Sequence, residues 1–446
     1  MHLACSVNFN KFFVYHNITM LDIREIRKDP YSIRNNLKKR NNPDLICMLD
    51  ELIETDTLWR NNSKTLDELR HKKNSTSIEI SKQKKEKKDT TALIKSMGDI
   101  SRSIAETEKS TEDARAKIDD ILHKLPNLLH DSVPQGKDDS GNVEIRKWGK
   151  IRKYDFPLKS HTDLLEALDG ADIERAAKVS GARFYYLKND IVMLDFALIK
   201  FALDILADSG FQILEPPFMI RKRPMEGAVA LSDFEDTLYK IEGEDLYMIA
   251  TSEHAIAGYH MDETLDETKL PLKYAGISPC FRKEAGSHGK DTKGIFRVHQ
   301  FNKIEQFIFS TPEQSWEEHE KLIKNAEIIF KKLELPYRVV NICTGDIGTV
   351  AAKKYDLEVW MPHQNTYREM VSCSNCTDYQ SRKLNIRYGK DGTEKRLVHT
   401  LNSTAIATSR TIVAILENNQ QKDGTVAIPK ALWPYMNGKK VLGKKN

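Results

Sequence analysis

The stretch from residue 277 to residue 306, ISPCFRKEAGSHGKDTKGIFRVHQFNKIEQ, opens and closes with strand-forming residues. Ile277, Cys280 and Phe281 stand on one side, and Ile295, Phe296, Val298, Phe301 and Ile304 on the other. Between them Gly, Ser, His, Lys and Asp form a loop with no apolar face, which predicts a long hairpin. Arg282, Glu284, Arg297, Lys303 and Glu305 fall on or beside its two strands. A planar guanidinium grips phosphate through directional hydrogen bonds, so such charges on rigid strands suit a polyanion held in one pose. An ordinary hairpin with a solvated basic tip has the same local pattern, and this stretch alone does not separate the two.

Working outward, three more stretches bear on the choice. Upstream stands Thr251-Ser252-Glu253. Downstream come Arg368-Glu369-Met370-Val371-Ser372-Cys373-Ser374, then Thr400 through Ala405 running to Arg410 and Leu416-Glu417-Asn418. The hairpin wording, FRxE, a loop and RxHQFxKxEQ, resembles motif 2 of class II aminoacyl-tRNA synthetases, specifically of the seryl-tRNA synthetases. The other three resemble that family's TxE serine-binding triplet, its RExxSCS metal- and ATP-binding segment and its motif 3. They occur in the family's order, over about residues 21 to 442.

The fold this resemblance implies is α+β: an antiparallel-sheet class II catalytic domain preceded by an all-α antiparallel coiled-coil arm that binds tRNA. The implied activity is serine–tRNA ligation, through seryl-adenylate and then transfer to the tRNA's 3′ end. Besides tRNA(Ser), ATP and L-serine, the selenocysteine tRNA would be a partner in an organism that has one. Three other readings share some of these residues. They are another amino-acid specificity, a paralogue that loads a carrier protein, and a non-catalytic RNA-binding paralogue. The second would lack the long arm, and the third would have lost Arg282, Glu369 and Arg410.

Composition bounds the rest. A chain of 446 residues implies two or more folding units. Its net charge of +4 is small beside 69 basic and 65 acidic residues, so nucleic-acid binding must come from a local patch. Six cysteines with one close pair, Cys373 and Cys376, do not form a disulfide framework. A reducing compartment is expected, and the family points to the cytoplasm. CxxC also occurs in redox pairs and half zinc sites, but without a second such pair it reads as two core thiols. No apolar run approaches the roughly 20 residues a membrane helix needs. Residues 286–294, GSHGKDTKG, lack the GxxxxGK[ST] spacing of a P-loop.

Residues 1–19 are expected to be a disordered extension before a working start at Met20. Residues 20–130 form the arm. Its short helical lead-in breaks near Asp29-Pro30, and Asn41-Asn42-Pro43-Asp44 signals the start of a long helix. The outgoing seam is Leu45, Leu52, Trp59, Leu66 and Ile80, with Lys73 as a gap. The returning seam is Met97, Ile100, Ile104, Thr111, Ala114, Ile118, Ile121 and Leu125. Steps of three and four keep one stripe facing a partner helix, which predicts a two-helix coiled coil with a marginal distal half. Roughly 35 residues per helix project about 50 Å. The tip carries Lys82, Lys84, Lys85, Lys87 and Lys88. Such a run is commonly just a solvated turn, but on a long lever it suits an RNA backbone.

Residues 131–149 read as a linker and 150–446 as the catalytic domain. Residues 161–180 look helical and 183–187 strand-like. A helix with Leu194, Ala197, Leu198, Phe201 and Ile205 on one face then leads through a strand at 211–214 to Pro217. By resemblance this is motif 1, which implies a homodimer; without the other motifs an amphipathic helix packed on its own domain explains it equally.

The resemblance also assigns roles. Arg282 matches the α-phosphate arginine and Arg410 the γ-phosphate arginine; with Glu369 they form the catalytic set. Phe301 would stack on adenine with Arg410 covering it, Glu284 would meet the adenine edge, and Val298 sits on the same strand. Lys283, Met370 and Val371 complete the ATP-binding set. Glu369 and Ser372 match the metal pair, whose hard oxygens suit Mg²⁺. Thr251, Ser252, Glu253, Arg282, Glu305, Asn402 and Thr404 would hold serine. Such a pocket rejects alanine by leaving polar groups unpaired and threonine by volume. Ser409 stands where several family members have proline, and the wording CSNCTDYQSR is closer to the archaeal and eukaryotic branches.

Overall fold

The computed structural model describes residues 23–230, 235–284, 291, 293–390 and 392–443. The expectation for residues 1–19 falls outside them. The lead-in breaks at Asp29: α1 (Ile23–Lys28) ends before it, and α2 (Pro30–Lys38) begins after it. The Asp29 carboxylate accepts from the Ser32 amide at 3.0 Å, and Pro30 sits where a helix has no use for its missing N–H.

The arm is α3 (Asp44–Lys85) and α4 (Thr91–Lys124), of 42 and 34 residues. At 1.5 Å per residue α3 spans roughly 60 Å. Its base is the better packed half: Ile26, Ile33 and Leu37 join Leu45, Leu49, Leu52, Ile118, Ile121 and Leu125 in one core. Farther out the core thins to Leu66, Ile100 and Ile104. One seam position behaves differently from expectation. Trp59 is only half-buried, lying between the guanidinium groups of Arg27 and Arg115 at 6.0 and 5.9 Å from its ring. Asp56 is buried beside it and takes both Arg27 nitrogens, at 2.5 and 2.9 Å.

The second body is built on eight strands. In chain order they are β1 (Val143–Trp148), β2 (Gln212–Leu214), β3 (Leu272–Phe281), β4 (Gln300–Ser310), β5 (Tyr337–Asn341), β6 (Lys353–Met361), β7 (Thr366–Asn375) and β8 (His399–Ala407). Their order across the sheet is β1-β5-β6-β7-β8-β4-β3-β2. Every neighbouring pair is antiparallel except β2 with β3. The expected α+β arrangement is therefore present, an all-α arm ahead of an antiparallel sheet.

The period of two along each strand decides what each face carries. Ile304 and Ile308 of β4 and Leu401 of β8 pack with the apolar sides of α5 (Asn189–Asp208), α7 (Ser315–Lys332) and α9 (Thr408–Asn419). Phe307 and Phe309 face the other way, into a second core with Ile256 of α6 (Ser252–Ala257) and Leu384 at the end of α8 (Tyr379–Leu384). On that second face Lys303 and Glu305 continue the row, and the cavity described below opens there. α6 can lie this close because β3 has Gly276 beneath it; a Cβ there would sit 2.5 Å from Ile256 Cδ1.

Three local expectations change. The returning strand of the hairpin starts at Gln300, so Val298 is not on it. Ile295, Phe296 and Val298 are buried in irregular chain that follows the left-handed turn at Gly294, φ +83°. Residues 161–180 are two short helices, His161–Ala167 and Ile173–Ser180, split by the pairing of Ala171–Asp172 with Tyr186–Leu187. Within 131–149, read as a linker, lies β1, the outer strand of the sheet on β5. The residues before β1 wrap the segment 343–346. The Thr344 amide donates to Pro134 O at 2.9 Å, the Cys343 amide to Asn142 Oδ1 at 2.9 Å, and Asn142 Nδ2 to Asp346 Oδ2 at 2.8 Å.

Candidate active site

One cavity of about 530 Å³ opens on the second face of the sheet, between β4, β7, β8, α6 and the loop 346–351. β4 supplies Phe301, Lys303 and Glu305; β7 supplies Glu369, Met370, Ser372 and Ser374; β8 supplies Asn402 and Thr404. Strand pairing sets these side by side. Glu305 is opposite Gly276 on one flank and Thr404 on the other.

At the inner end sits a polar cluster. Lys303 Nζ is 2.6 Å from Glu305 Oε2, and both side chains are almost wholly buried. The same carboxylate oxygen accepts from Thr404 Oγ1 at 3.2 Å and from Thr251 Oγ1 at 3.5 Å. Thr251 caps α6, its hydroxyl also accepting from the Glu253 amide at 3.3 Å, so the start of the helix aims Glu253 into the cavity. Glu253 Oε1 accepts from Gln380 Nε2 at 2.9 Å and from Asn402 Nδ2 at 3.0 Å. Burial, helped by Glu305, pushes the Glu253 carboxyl up to about 7, against the pull of Lys303 and Arg282. His254, buried beside these cations, is pushed down to about 3 and is neutral at physiological pH.

The outer end is cationic. Arg282 Nε donates to Ala250 O at 3.2 Å, and its guanidinium lies 5.3 Å from the centre of the Phe301 ring. Arg410, in the first turn of α9, donates to Glu369 O at 3.0 Å and stands 3.7 Å from its carboxylate. Its ring neighbour is Phe296, at 5.1 Å. Burial lowers the Arg410 pKa. For Glu369 burial acts upward, but Arg410, Lys354 and Arg282 outweigh it and the carboxyl sits below its ordinary range. Asp356, opposite Ser372 on β6, is pushed the other way by burial and by Glu369. One of its oxygens has no hydrogen-bond partner, although Lys354 lies 3.3 Å from the other.

The sequence-predicted residues divide clearly. Arg282, Glu284, Phe301, Glu369, Met370, Ser372 and Arg410 line the cavity, with Thr251, Glu253, Glu305, Asn402 and Thr404. Ser252, Lys283, Val298 and Val371 do not. Ser252 donates to Gly276 O at 3.2 Å, behind α6. The Lys283 amine lies 5.8 Å from the Tyr239 ring, while Val298 and Val371 belong to the core on the helical side. Glu284 is held by Arg297 Nη1 at 2.9 Å. Glu417 is buried with His161, 3.4 Å away, away from the cavity. Cys373 and Cys376 are both buried, and Cys376 Sγ lies 3.4 Å from Asn402 Nδ2.

Lys354 and the loop 346–351 line the cavity without having been singled out, and Lys303, counted among the hairpin's charges, was assigned no ligand there. Lys303 was findable, since it alternates with Glu305 and so shares its face. Lys354 and Asp356 owe their position to cross-strand register, which no local pattern reports.

Two family models match the chain: the seryl-tRNA synthetase N-terminal domain over residues 20–129, and the tRNA synthetase class II core domain (G, H, P, S and T) over residues 237–419. A serine–tRNA ligase of Thermococcus sibiricus is 55% identical, the alignment covering 95% of this chain and 98% of that one. One of Methanocella arvoryzae is 55% identical over 95% of this chain and 100% of its own. A crystal structure of seryl-tRNA synthetase from Pyrococcus horikoshii complexed with ATP superposes with a TM-score of 0.92 at 53% identity, covering 96% of this chain and 100% of that one. The cytoplasmic serine–tRNA ligase of Naegleria fowleri in complex with AMP gives 0.88 at 37% identity, with 96% and 100% covered.

The Glu253 carboxyl gives the cavity its own pH dependence. Its folded value near 7 lies above the ordinary 4.5. Across that window the unfolded chain has released the proton while the folded chain still holds it. The contribution to stability is therefore present at low pH and lost as pH rises through about 7. Glu253→Gln stays neutral, so its urea midpoint should gain on the parent's between pH 5 and pH 8; parallel pH curves for the two would show that Glu253 ionises normally.

Proposed function

The chain belongs to the seryl-tRNA synthetase family, and from that premise we propose which residues carry out each step of serine–tRNA ligation. The observation that carries the reading is the meeting of Arg282 and Arg410 with the Thr251, Glu253, Glu305 and Thr404 cluster in one cavity. Phosphates need fixed cations, and a small hydroxyl amino acid needs a polar, shape-limited cleft; both lie within reach of each other.

In the first step a serine carboxylate oxygen attacks the α-phosphorus of ATP, and the bond to the leaving pyrophosphate breaks. Arg282 holds the carboxylate and α-phosphate together and offsets the charge that builds on the phosphoryl oxygens. Arg410 holds the far phosphates, and the adenine rests on Phe301. Glu253 and Glu305 accept from the serine ammonium, while Thr404, Asn402 and Thr251 bound the space around its hydroxyl. An ammonium arriving beside Glu253 stabilises its carboxylate, so serine binding releases a proton at pH values below about 7. In the second step a terminal hydroxyl of tRNA(Ser) attacks the seryl carbonyl and AMP departs with the bonding pair.

The donor set fits a divalent cation of the Mg²⁺ type. Glu369 and Ser372 offer hard oxygens, and Asp356 has a buried oxygen with no hydrogen-bond partner beside them. Among the described residues no group of three acidic, His or Cys side chains converges, so phosphate and water oxygens would complete the coordination. Bound there, the ion would neutralise phosphate charge. The residues keep Glu369 ionised for it by placing Arg410 and Lys354 nearby.

The same reading extends to organisation. Residues 20–130 form the tRNA arm, with Lys82, Lys84, Lys85, Lys87 and Lys88 exposed at its tip, and 150–446, joined by β1, the catalytic domain. The protein acts in the cytoplasm; among the described residues no helix is long and apolar enough to cross a membrane. A homodimer is supported by apolar side chains left on the motif 1 elements: Met193 and Phe196 on α5 are 45% and 59% exposed, and Ile213 on β2 is 44% exposed.

Three outcomes are expected. Arg282→Ala and Arg410→Ala should each lower serine-dependent ATP–pyrophosphate exchange by about 100-fold or more, the scale of losing one preorganised cation; parental exchange in either variant would refute its role. Deleting residues 67–103 should leave that exchange intact and abolish charging of tRNA(Ser), whereas normal charging would remove the arm from the mechanism. Sedimentation equilibrium should give twice the 51.2 kDa chain mass, and Phe196→Glu should halve it; a monomeric parent rules out the dimer.

A further inference from the structure

One wall of the cavity, the loop 346–351, belongs to no strand, and its polar backbone is held largely from the arm side of the molecule. Arg40, just after α2, donates from Nη1 to Gly348 O at 2.6 Å. The Asn127 amide N–H, just after α4, donates to Thr349 O at 2.8 Å. Asn127 Nδ2 donates to Val350 O at 2.9 Å, and the His130 amide to Ala352 O at 3.0 Å. These four carbonyls, in a span of five residues, are thus met by donors from the base of the arm and the chain leaving it. Leu129 and Val133 close the apolar side of the same loop against Ile347 and Ala351.

Asn127 is the centre of this clasp. It is 1% exposed, and every polar group it has is used. Its second Nδ2 hydrogen goes to Cys376 O at 2.8 Å, its Oδ1 accepts from Thr377 Oγ1 at 3.3 Å, and its own carbonyl accepts from Arg40 Nη2 at 2.8 Å. Burial pulls the Arg40 pKa down to about 10, so it remains a cation at neutral pH. Through Cys376 the clasp reaches the amino-acid end of the cavity: Cys376 Sγ touches Asn402 Nδ2, which donates to Glu253.

We propose that Asn127 is a positioning residue for serine, supplied by the root of the arm, that fixes the loop 348–351 and the Cys376–Asn402–Glu253 contacts at once. The distal arm has no part in this, because the clasp uses only the root. The inference rests on reading the cavity as the serine-activating site. A buried amide that satisfies two carbonyls cannot be replaced by an apolar side chain without leaving both unpaired, and the loop has no strand partner to take over.

The test is serine titration in ATP–pyrophosphate exchange with the full-length protein. Asn127→Leu, of similar volume but without donors, should raise the serine KM about tenfold and change kcat by less than about twofold, the signature of lost ground-state positioning. Arg40→Met should raise KM in the same direction, and Arg40→Lys should recover most of the loss. The 67–103 deletion should keep the parental KM. A folded Asn127→Leu protein with parental KM and kcat overturns the proposal, even if its melting temperature falls. If Asn127→Leu does not fold, Arg40→Met decides, and an unchanged KM there overturns it equally. A parent protein that does not exchange with serine at all would instead overturn the reading of the cavity.

Discussion

The buried Lys303–Glu305 contact is the constraint around which the rest of the sheet is arranged. Both side chains leave the middle of a long strand on its inner face, where the neighbouring positions are Phe307 and Phe309. Taking two ions out of water costs several kcal/mol each before their attraction is counted, so such a pair is a poor way to stabilise a core. It makes sense as part of a surface that a charged ligand completes. Glu305 shares one oxygen among Lys303, Thr404 and Thr251. Glu253 meanwhile tends to keep its proton, which limits how much uncompensated charge the cavity must hold. The charge pattern is poised for a zwitterion at one end and a polyphosphate at the other.

What could be read from residues alone was whatever a short pattern encodes. The arm followed from steps of three and four, the hairpin from two apolar runs around a polar loop, and most cavity residues from ordered motifs on strands β4, β7 and β8. Failures came where the pattern continued but the backbone did not. Val298 belongs to the same apolar run as Phe301 and Ile304, yet it lies in irregular chain between the turn at Gly294 and the start of the strand. Ser252 and Val371 sit inside matching motifs and point away, because successive helix residues are turned about 100° from one another and successive strand residues face opposite sides. Trp59 occupies a seam position but is drawn half out by two arginines. Asp356, Lys354 and Asn127 were out of reach, since their roles arise from pairings with residues far along the chain.

Arm and body also differ in how they are joined. A coiled coil with a solid root and a thin outer core can flex toward its tip while its base stays seated. Asn36 ties that base down further, exchanging hydrogen bonds with Leu129 through both ends of its amide at 2.8 Å. A lever that bends far from its pivot and is rigid at it can move its tip widely without disturbing the cavity at the other end.

The outer strand β1 has a consequence for how the molecule is assembled on the ribosome. Val143 pairs with Asn341, and Trp148 with Tyr337, partners translated about 200 residues later. The coiled coil can zip as soon as both of its helices emerge, because its contacts are local. β1 and the clasp segment before it must wait, unpaired, until most of the sheet has left the exit tunnel. The stretch between arm and body is therefore an early-made piece that docks late, and the loop 346–351 is clasped only after it has itself been made.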